Sequence, residues 1–374
     1  MRPAATRPAV PRRLLHVFPT FEVGGSQLRF AALANHNGSR YRHLIVALDG
    51  KTACLDRLNA NVAYEVLRID APKNSTIRNF FAFRRALAAA KPDMLITYNW
   101  GAIEWALANV VPISGHIHIE DGFGPEEAAS GQYRRRSLFR RLVLSRQTRV
   151  VLPSKTLVQI ASDIWRLPPQ RMSYVPNGID CARFAVAPDP TLAASLRQHP
   201  EELLIGTVAA LRAEKNIGRL IEAFAMVVAE RPARLVIVGD GAERDALEGL
   251  VNSRGLGNRV VFTGAVPNPE RIIGAFDIFA LSSNTEQMPF SILEAMAAGL
   301  PVAAVDVGDV RAMVSPENQR LVAQQSAESL ASSIVTLLRD SRTRAEMGSH
   351  NRAHVRRHYD QAAMFSSYAA LFDA

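Results

Sequence analysis

Short apolar runs, mostly continuous rather than alternating, recur along this chain, and each is followed by a stretch with apolar residues spaced three and four apart. That pattern predicts strands buried on both faces and joined through helices, hence parallel sheets covered by helices. In the first half the strand-like runs are 14–18, 44–48, 63–67, 94–97, 113–119, 150–152 and 173–175. A second series follows at 203–208, 234–238, 260–263, 278–281 and 302–305. The expectation is an α/β protein with two doubly wound domains, jointed at 183–200 where Ala185-Val-Ala-Pro-Asp-Pro190 breaks regular structure. Met364, Tyr368 and Leu371 recur at helical spacing, so 360–374 is expected to form a terminal amphipathic helix. No solenoid-length repeat or low-complexity tract interrupts the pattern.

Composition narrows the class. A 374-residue chain with 48% hydrophobic residues supports two separate cores. Every apolar run is cut by Gly, Pro or charge well short of a membrane span, and the run 14–18 is too short for a signal-peptide core, so a soluble or peripheral protein is expected. Cys54 and Cys181 are the only cysteines, which leaves neither a disulfide framework nor a thiolate metal site and fits a reducing cytoplasm. The charge of +9 is uneven: residues 1–185 carry 26 Lys and Arg against 13 Asp and Glu, whereas the remainder carries 18 against 22. The basic half points to an anionic partner. No zinc-finger spacing, aromatic stacking motif or basic zipper accompanies it, which argues against nucleic acid and for an anionic membrane surface.

Chemistry concentrates in Glu286-Gln-Met-Pro-Phe-Ser-Ile-Leu-Glu294, followed by an apolar helix that ends at Gly299-Leu-Pro301. Pro289 suits the first turn of a helix because it lacks only an N–H that would be unpaired there, so Met288, Phe290 and Ser291 are expected to offer backbone donors to an anion such as a diphosphate. Glu286 in the loop would accept from sugar hydroxyls, and Glu294 in the helix would bind the hydroxyls of a ribose. Phe290, Ile292, Leu293 and Met296 would face the core. A carboxylate at 294 in so apolar a helix is costly unless a polar ligand pairs with it.

Further motifs arrive in order: Gly24-Gly25-Ser-Gln, Glu120-Asp-Gly-Phe-Gly124, Val175-Pro-Asn-Gly-Ile-Asp180, Val208-Ala-Ala-Leu-Arg-Ala-Glu-Lys215-Asn, Val238-Gly-Asp-Gly241, Val261-Phe-Thr-Gly264 and the glutamate pair. Together they resemble the retaining glycosyltransferases of the GT-B fold, family 4, over nearly the whole chain. The resemblance implies two Rossmann-like domains facing an interdomain cleft: 1–185 binding the acceptor, 186–358 binding the nucleotide sugar, and a terminal helix, 359–374, crossing back to the first domain. It implies a hexosyltransferase moving a sugar from a UDP- or GDP-sugar to a hydroxyl of a lipid-linked glycan or glycolipid in envelope or exopolysaccharide synthesis. No metal motif is visible, and no cofactor is expected beyond the nucleotide sugar as co-substrate.

Site roles follow from the same resemblance. Lys215 is the cation for the departing diphosphate. The family's second phosphate ligand is an Arg where this chain has Ala210, and Arg212, two positions later, either substitutes for it or faces solvent. Gly239 and Gly241 would let backbone approach the nucleotide, and Val266, just beyond Gly264, would line the base pocket. Gly24 and Gly25 would present backbone N–H groups to phosphate or acceptor, with Ser26 opening the following helix. The family carries a His where this chain has Asp121; sugar contact, or the base toward the acceptor hydroxyl, falls to Asp121 or, failing that, to His118. His116, on the same strand face, is expected to be a hydrogen-bonded structural residue.

Arg134-Arg-Arg-Ser-Leu-Phe-Arg140-Arg141 is a basic helical stretch with interleaved apolar residues, either lying on an anionic membrane or forming a domain helix with an Arg-rich outer face. Phe80, Phe81 and Phe83 beside Arg84-Arg85 form a second such patch, at least two of whose rings are expected in the core. Two rival functions share the expected fold: a sugar-nucleotide epimerase, and a non-catalytic sugar-nucleotide-binding protein suggested by Ala210 and Asp121.

Overall fold

The continuous apolar runs are parallel strands, and a computed structural model describes them within residues 11–69, 75–123, 127 and 131–374. Two compact units divide the chain. In the first lie β1 (Arg12–Phe18), β2 (Tyr41–Ala47), β3 (Ala63–Val66), β4 (Met94–Tyr98), β5 (Gly115–Ile119), β6 (Arg149–Leu152) and β7 (Met172–Tyr174), ordered β3-β2-β1-β4-β5-β6-β7. In the second lie β8 (Leu203–Val208), β9 (Ala233–Val238), β10 (Val260–Gly264), β11 (Ile278–Leu281), β12 (Val302–Val305) and β13 (Val322–Ala323), ordered β10-β9-β8-β11-β12-β13. Central strands such as β4, β9 and β12 are buried at every position, as sheets covered on both faces require.

Each sheet winds outward from its first strand one way and then resumes on that strand's other side. The order reverses between β1 and β4 in one unit and between β8 and β11 in the other. At such a switch point the loops leaving the strands' carboxyl ends diverge and open a crevice for ligands.

The units divide at Val175/Pro176 and again at Met364/Phe365. The joint expected at 183–200 falls inside the second unit, because Cys181, Phe184 and Leu196 are buried in its core. Residues 365–374, most of the helix Gln361–Asp373, belong to the first unit. There Tyr41 donates to Asp373 Oδ1 (2.9 Å), Arg40 pairs with the same carboxylate, and Arg12 donates to the Ala374 carbonyl (3.2 Å).

The first unit also buries polar groups beside β1. His16 lies 3.1 Å from the Tyr98 hydroxyl and 3.0 Å from His43 Nδ1. Burial holds the His16 imidazole well below its usual pKa, with His43 adding to the effect, and burial lowers His43 to about 4.

Candidate active site

In the second unit the loops that leave the switch-point strands carry the chemistry. After β8 the chain makes a short turn, Ala213–Lys215, and then enters the helix Ile217–Val227, whose Asn216 cap has a left-handed backbone and accepts from the Arg219 N–H. After β11 it runs through Ser282–Pro289 into the helix Phe290–Ala298. The two loops meet: Lys215 Nζ donates to Glu286 Oε1 at 2.6 Å, and Ser283 Oγ donates to the same oxygen at 2.8 Å. Lys215 keeps 26% of its side-chain surface and Glu286 10%, so the pair sits at a wall open to ligand rather than in the core.

Pro289 occupies the cap position itself, in extended backbone at φ −68° and ψ 127°, so the helix begins one residue later than Pro at its first position would give. No side chain caps this end, so the first turn begins at Phe290 and Ser291 with donors free of a cap. Met288 is buried, and its carbonyl accepts from Asn177 Nδ2 at 2.9 Å. Asn177 belongs to the Pro176-Asn-Gly-Ile-Asp180 motif and holds the glutamate loop in place. Gly308 supports the loop from another side. Its φ is +55°, and a Cβ there would stand 2.2 Å from the Glu286 carbonyl oxygen.

Glu294 lies one turn into the helix, about 6 Å along its axis at 1.5 Å per residue. Ile292, Leu293 and Met296 around it are fully buried, whereas Phe290 is only partly so. Burial pushes the Glu294 carboxyl up to about 7; Arg183 opposes that shift and Glu270 adds to it. A carboxylate so placed gains most from a ligand that donates hydrogen bonds to it. Gly299 ends the helix in left-handed backbone at φ +80°, as the Gly-Leu-Pro signal indicates.

Gly239 and Gly241 have a nearer reason to be glycine than a ligand's approach. A Cβ at 239 would lie 1.8 Å from the Ala209 carbonyl oxygen and one at 241 would lie 2.4 Å from that of Leu211, so the backbone before Lys215 fills that space. Arg212 is 67% exposed and, among the described residues, its side chain reaches only Glu214, at 3.9 Å. Val266 is partly buried at the edge of a surface groove shared with Leu192 and Arg271.

In the first unit Gly24 is the cap of the helix Gly25–Asn37, with no side-chain cap. Ser26 is inside that helix and donates to Gln27 Oε1 (2.9 Å), so it does not cap the end. Asp121 follows β5, and both of its oxygens are taken by Arg29, at 2.5 and 2.8 Å. Burial alone would lower the Arg29 pKa, but Asp121 beside it more than offsets this and leaves it raised. The bidentate pairing with a buried guanidinium fixes the orientation of this carboxylate. His118 is fully buried, and its Nδ1 lies 2.8 Å from Thr97 Oγ1. His116 shares Thr97 and also meets Thr148 (2.8 Å), and burial lowers it to about 3. Of the Gly-Phe-Gly turn, Gly124 lies outside the described residues.

The basic helix, Arg134–Leu144, divides by face. Arg140 is completely buried, with Glu127 at 3.1 Å and Glu120 at 3.3 Å, and its guanidinium lies 4.8 Å from the Trp100 ring centre and 4.7 Å from that of Trp165. Arg136, one turn earlier on the same face, also reaches Glu127 (3.4 Å). Neither is available to a membrane in the way a continuous basic cluster would be. Arg134, Arg135 and Arg141 are exposed, together with Leu138 (55%) and Leu142 (62%). In the phenylalanine patch Phe83 is buried and Phe80 packs on the core, while Phe81 is exposed.

Comparison with known proteins places these features in a family. The profile of glycosyl transferases group 1 matches residues 189–354, and that of glycosyltransferase family 4 matches residues 23–183. The chain is 27% identical over 173 residues to the N-acetyl-alpha-D-glucosaminyl L-malate synthase of Bacillus anthracis, a match covering 46% of this chain and 45% of the relative. It is 31% identical over 195 residues to the GDP-mannose-dependent monoacylated alpha-(1-6)-phosphatidylinositol monomannoside mannosyltransferase of Corynebacterium glutamicum, covering 49% and 51%. The matches thus span about half the length of these curated relatives. Among solved structures, Anabaena HepE in complex with UDP and glucose superposes with a TM-score of 0.82 at 20% identity, covering 97% of this chain and 99% of that one. WaaG, a glycosyltransferase involved in lipopolysaccharide biosynthesis, superposes with a TM-score of 0.76 at 18% identity, covering 96% and 99%. At these identities the likeness establishes the fold, GT-B.

Proposed function

The chain belongs to the family 4 glycosyltransferases of the GT-B fold, and from that membership we propose that it moves a hexose from a nucleotide diphosphate sugar to an acceptor hydroxyl with retention at the anomeric carbon. The observation that carries this reading is the 2.6 Å contact between Lys215 and Glu286 just ahead of an uncapped helix end, with Glu294 one turn further on. Lys215 and the amides of Phe290 and Ser291 stabilise the charge that develops on the departing diphosphate. Glu286 accepts from the sugar's hydroxyls, and Glu294 accepts from those of the ribose. The acceptor oxygen approaches the anomeric carbon on the face the diphosphate leaves. The bond from that carbon to the phosphate oxygen breaks, the new C–O bond forms, and the acceptor's proton passes to the released diphosphate. Asp121, held by Arg29, orients groups at the acceptor side and does not take the proton.

UDP and GDP are the donor nucleotides to try first, since HepE was solved with UDP and UDP-glucose and the Corynebacterium relative is GDP-mannose-dependent. A lipid-linked glycan or glycolipid acceptor is supported by the phosphatidylinositol mannoside in that relative's name and by WaaG's lipopolysaccharide role. Among the described residues no helix is long and apolar enough to cross a membrane. Contact with anionic lipid on the inner face of the cell membrane is assigned to Arg134, Arg135 and Arg141 with the exposed Leu138 and Leu142 between them, because a basic face with interleaved apolar side chains suits such a surface.

The test is transfer by purified protein from a panel of UDP- and GDP-sugars to glycolipid acceptors, with the product's anomeric configuration read by NMR. An α-linked product from an α-linked donor supports the reading; an inverted product would overturn retention. The rival of a non-catalytic binder draws on Asp121 being tied to Arg29 and on Ala210 where the family has Arg. Nucleotide-sugar binding without transfer or donor hydrolysis would decide for it, and conversion of the free donor to its epimer would decide for an epimerase.

A further inference from the structure

Lys215 and Glu286 stand on different loops, 71 residues apart in sequence, yet their contact is set to 2.6 Å. The structure assigns that spacing to Arg219, a positioning residue that clamps the glutamate loop to the lysine turn. Arg219 sits in the first turn of the helix Ile217–Val227 and is partly buried, which lowers its pKa through desolvation. Its Nη1 donates to the Ser282 carbonyl at 2.8 Å and lies 3.4 Å from that of Ser283, while its Nη2 donates to Asn284 Oδ1 at 2.8 Å.

Other bonds close the ring. Asn284 Oδ1 also accepts from Asn216 Nδ2 at 2.9 Å, and the Asn284 N–H donates to the Glu214 carbonyl at 2.8 Å. Ser282 Oγ donates to the Lys215 carbonyl at 3.2 Å, and Ser283, whose carbonyl Arg219 reaches, donates its hydroxyl to Glu286. One guanidinium thereby addresses three consecutive residues of the glutamate loop from the helix that follows Lys215. A planar fork suits this arrangement: the guanidinium donates from two nitrogens in fixed directions, whereas a lysine at 219 would offer one nitrogen on a flexible stem.

The consequence rests on the function proposed above, in which Lys215 serves the diphosphate and Glu286 the sugar. The two must be in register when the glycosidic bond breaks, so the clamp acts on turnover. Glu294, which holds the nucleoside, stands ten residues beyond Asn284 on the helix that follows the loop, and that helix is held in place by its own buried Ile292, Leu293 and Met296. Misplacing a catalytic constellation by about 1 Å costs on the order of 10²-fold in rate.

The experiment measures kcat, donor KM and the product nucleotide's Kd for wild type, Arg219→Ala and Arg219→Lys, and repeats Arg219→Ala in a Glu286→Gln background. Arg219→Ala should lower kcat by about 10²-fold and leave the nucleotide Kd within about twofold, with Arg219→Lys in between. Because Arg219 acts through Glu286, its substitution should cost far less in the Glu286→Gln background. An unchanged kcat overturns the inference, as does a nucleotide Kd that weakens in step with kcat, or the full loss persisting in the Glu286→Gln background. A variant that does not fold is replaced by Arg219→Lys, whose kcat equal to wild type overturns the inference in the same way. Absence of transfer by the wild-type chain overturns the proposed function and this inference with it, whereas an active wild type with indifferent variants overturns the inference alone.

Discussion

Removal of the Arg140 guanidinium should cost the first unit a large part of its stability. Arg140→Leu fills much of the same space but strands Glu120 and Glu127, both with fully buried side chains. Arg136 remains 3.4 Å from Glu127 and relieves one of them in part, while Glu120 keeps, among the described residues, only His118, at 3.5 Å. The stacking over Trp100 and Trp165 is lost as well. Breaking a buried pair by deleting one partner costs about 3–5 kcal/mol. For a unit of this size each kcal/mol moves the melting temperature by about 2–4 °C, so the expected shift is roughly 6–20 °C. The assay reports on the right unit: the three tryptophans, Trp100, Trp105 and Trp165, all lie in the first one, and intrinsic fluorescence follows its melt separately from total circular dichroism. Arg134→Gln and Arg141→Gln, on the exposed face, should leave the melt where it is. An Arg140→Leu protein melting within 2 °C of wild type would refute the claim that this guanidinium neutralises the two carboxylates.

Three shorter predictions follow from the same geometry. Glu294, at about 7 in the free protein, must ionise to accept two ribose hydroxyls, so nucleotide affinity should be full above pH 7 and fall as pH drops through it; titration calorimetry from pH 5.5 to 8.5 checks this, and a flat profile contradicts it. His16, His43 and His116 are held neutral below their unfolded value of 6.5, so the stability they contribute is complete above pH 6.5 and is lost as pH falls toward their folded values, at about 1.4 kcal/mol per pH unit for each; urea melts from pH 7.5 to 4.5 should show the decline, weakened in His43→Gln. Arg134→Gln, Arg135→Gln and Arg141→Gln together should release the protein from anionic vesicles and leave nucleotide binding intact, since each basic residue near such a surface contributes about 1 kcal/mol; co-sedimentation indifferent to lipid charge contradicts the membrane reading.

The parallel sheets were legible because strands buried on both faces, such as β4, β9 and β12, must be apolar throughout; among the described strands, the exposed edge strand β3 and the two-residue Val322–Ala323 lack that signature, and only the latter was not expected. The Lys215 turn and the glutamate loop were legible as motifs, and their meeting is what the switch point of the second sheet supplies. What the sequence hides are pairings set by tertiary packing. Nothing near Asp121 announces Arg29, 92 positions earlier, and without that partner the carboxylate reads as a base. In a run of three arginines followed by two more, only packing separates inward Arg136 and Arg140 from outward Arg134, Arg135 and Arg141; the clue available was the four-residue spacing of 136 and 140 with a carboxylate at 127. Gly239 and Gly241 carry a true signal of close approach, but the approaching backbone is the chain's own. Asn177 was legible as part of the Val175–Asp180 motif, but its bond to the Met288 carbonyl was not, and Ser283 was missed because a side chain that orients a carboxylate leaves no pattern in the sequence.

The central claim is that Glu286 and Glu294 hold different parts of one nucleotide sugar, and a paired measurement of turnover and nucleotide Kd on Glu286→Gln and Glu294→Ala tests it most directly. A lost hydrogen bond to a charged group is worth about 1.5–3 kcal/mol, or one to two decades. Glu294→Ala should therefore weaken nucleotide binding about 10- to 100-fold, whereas Glu286→Gln should lose turnover by a similar factor and bind the nucleotide as wild type does. Full turnover and unchanged nucleotide affinity in both variants would contradict the account.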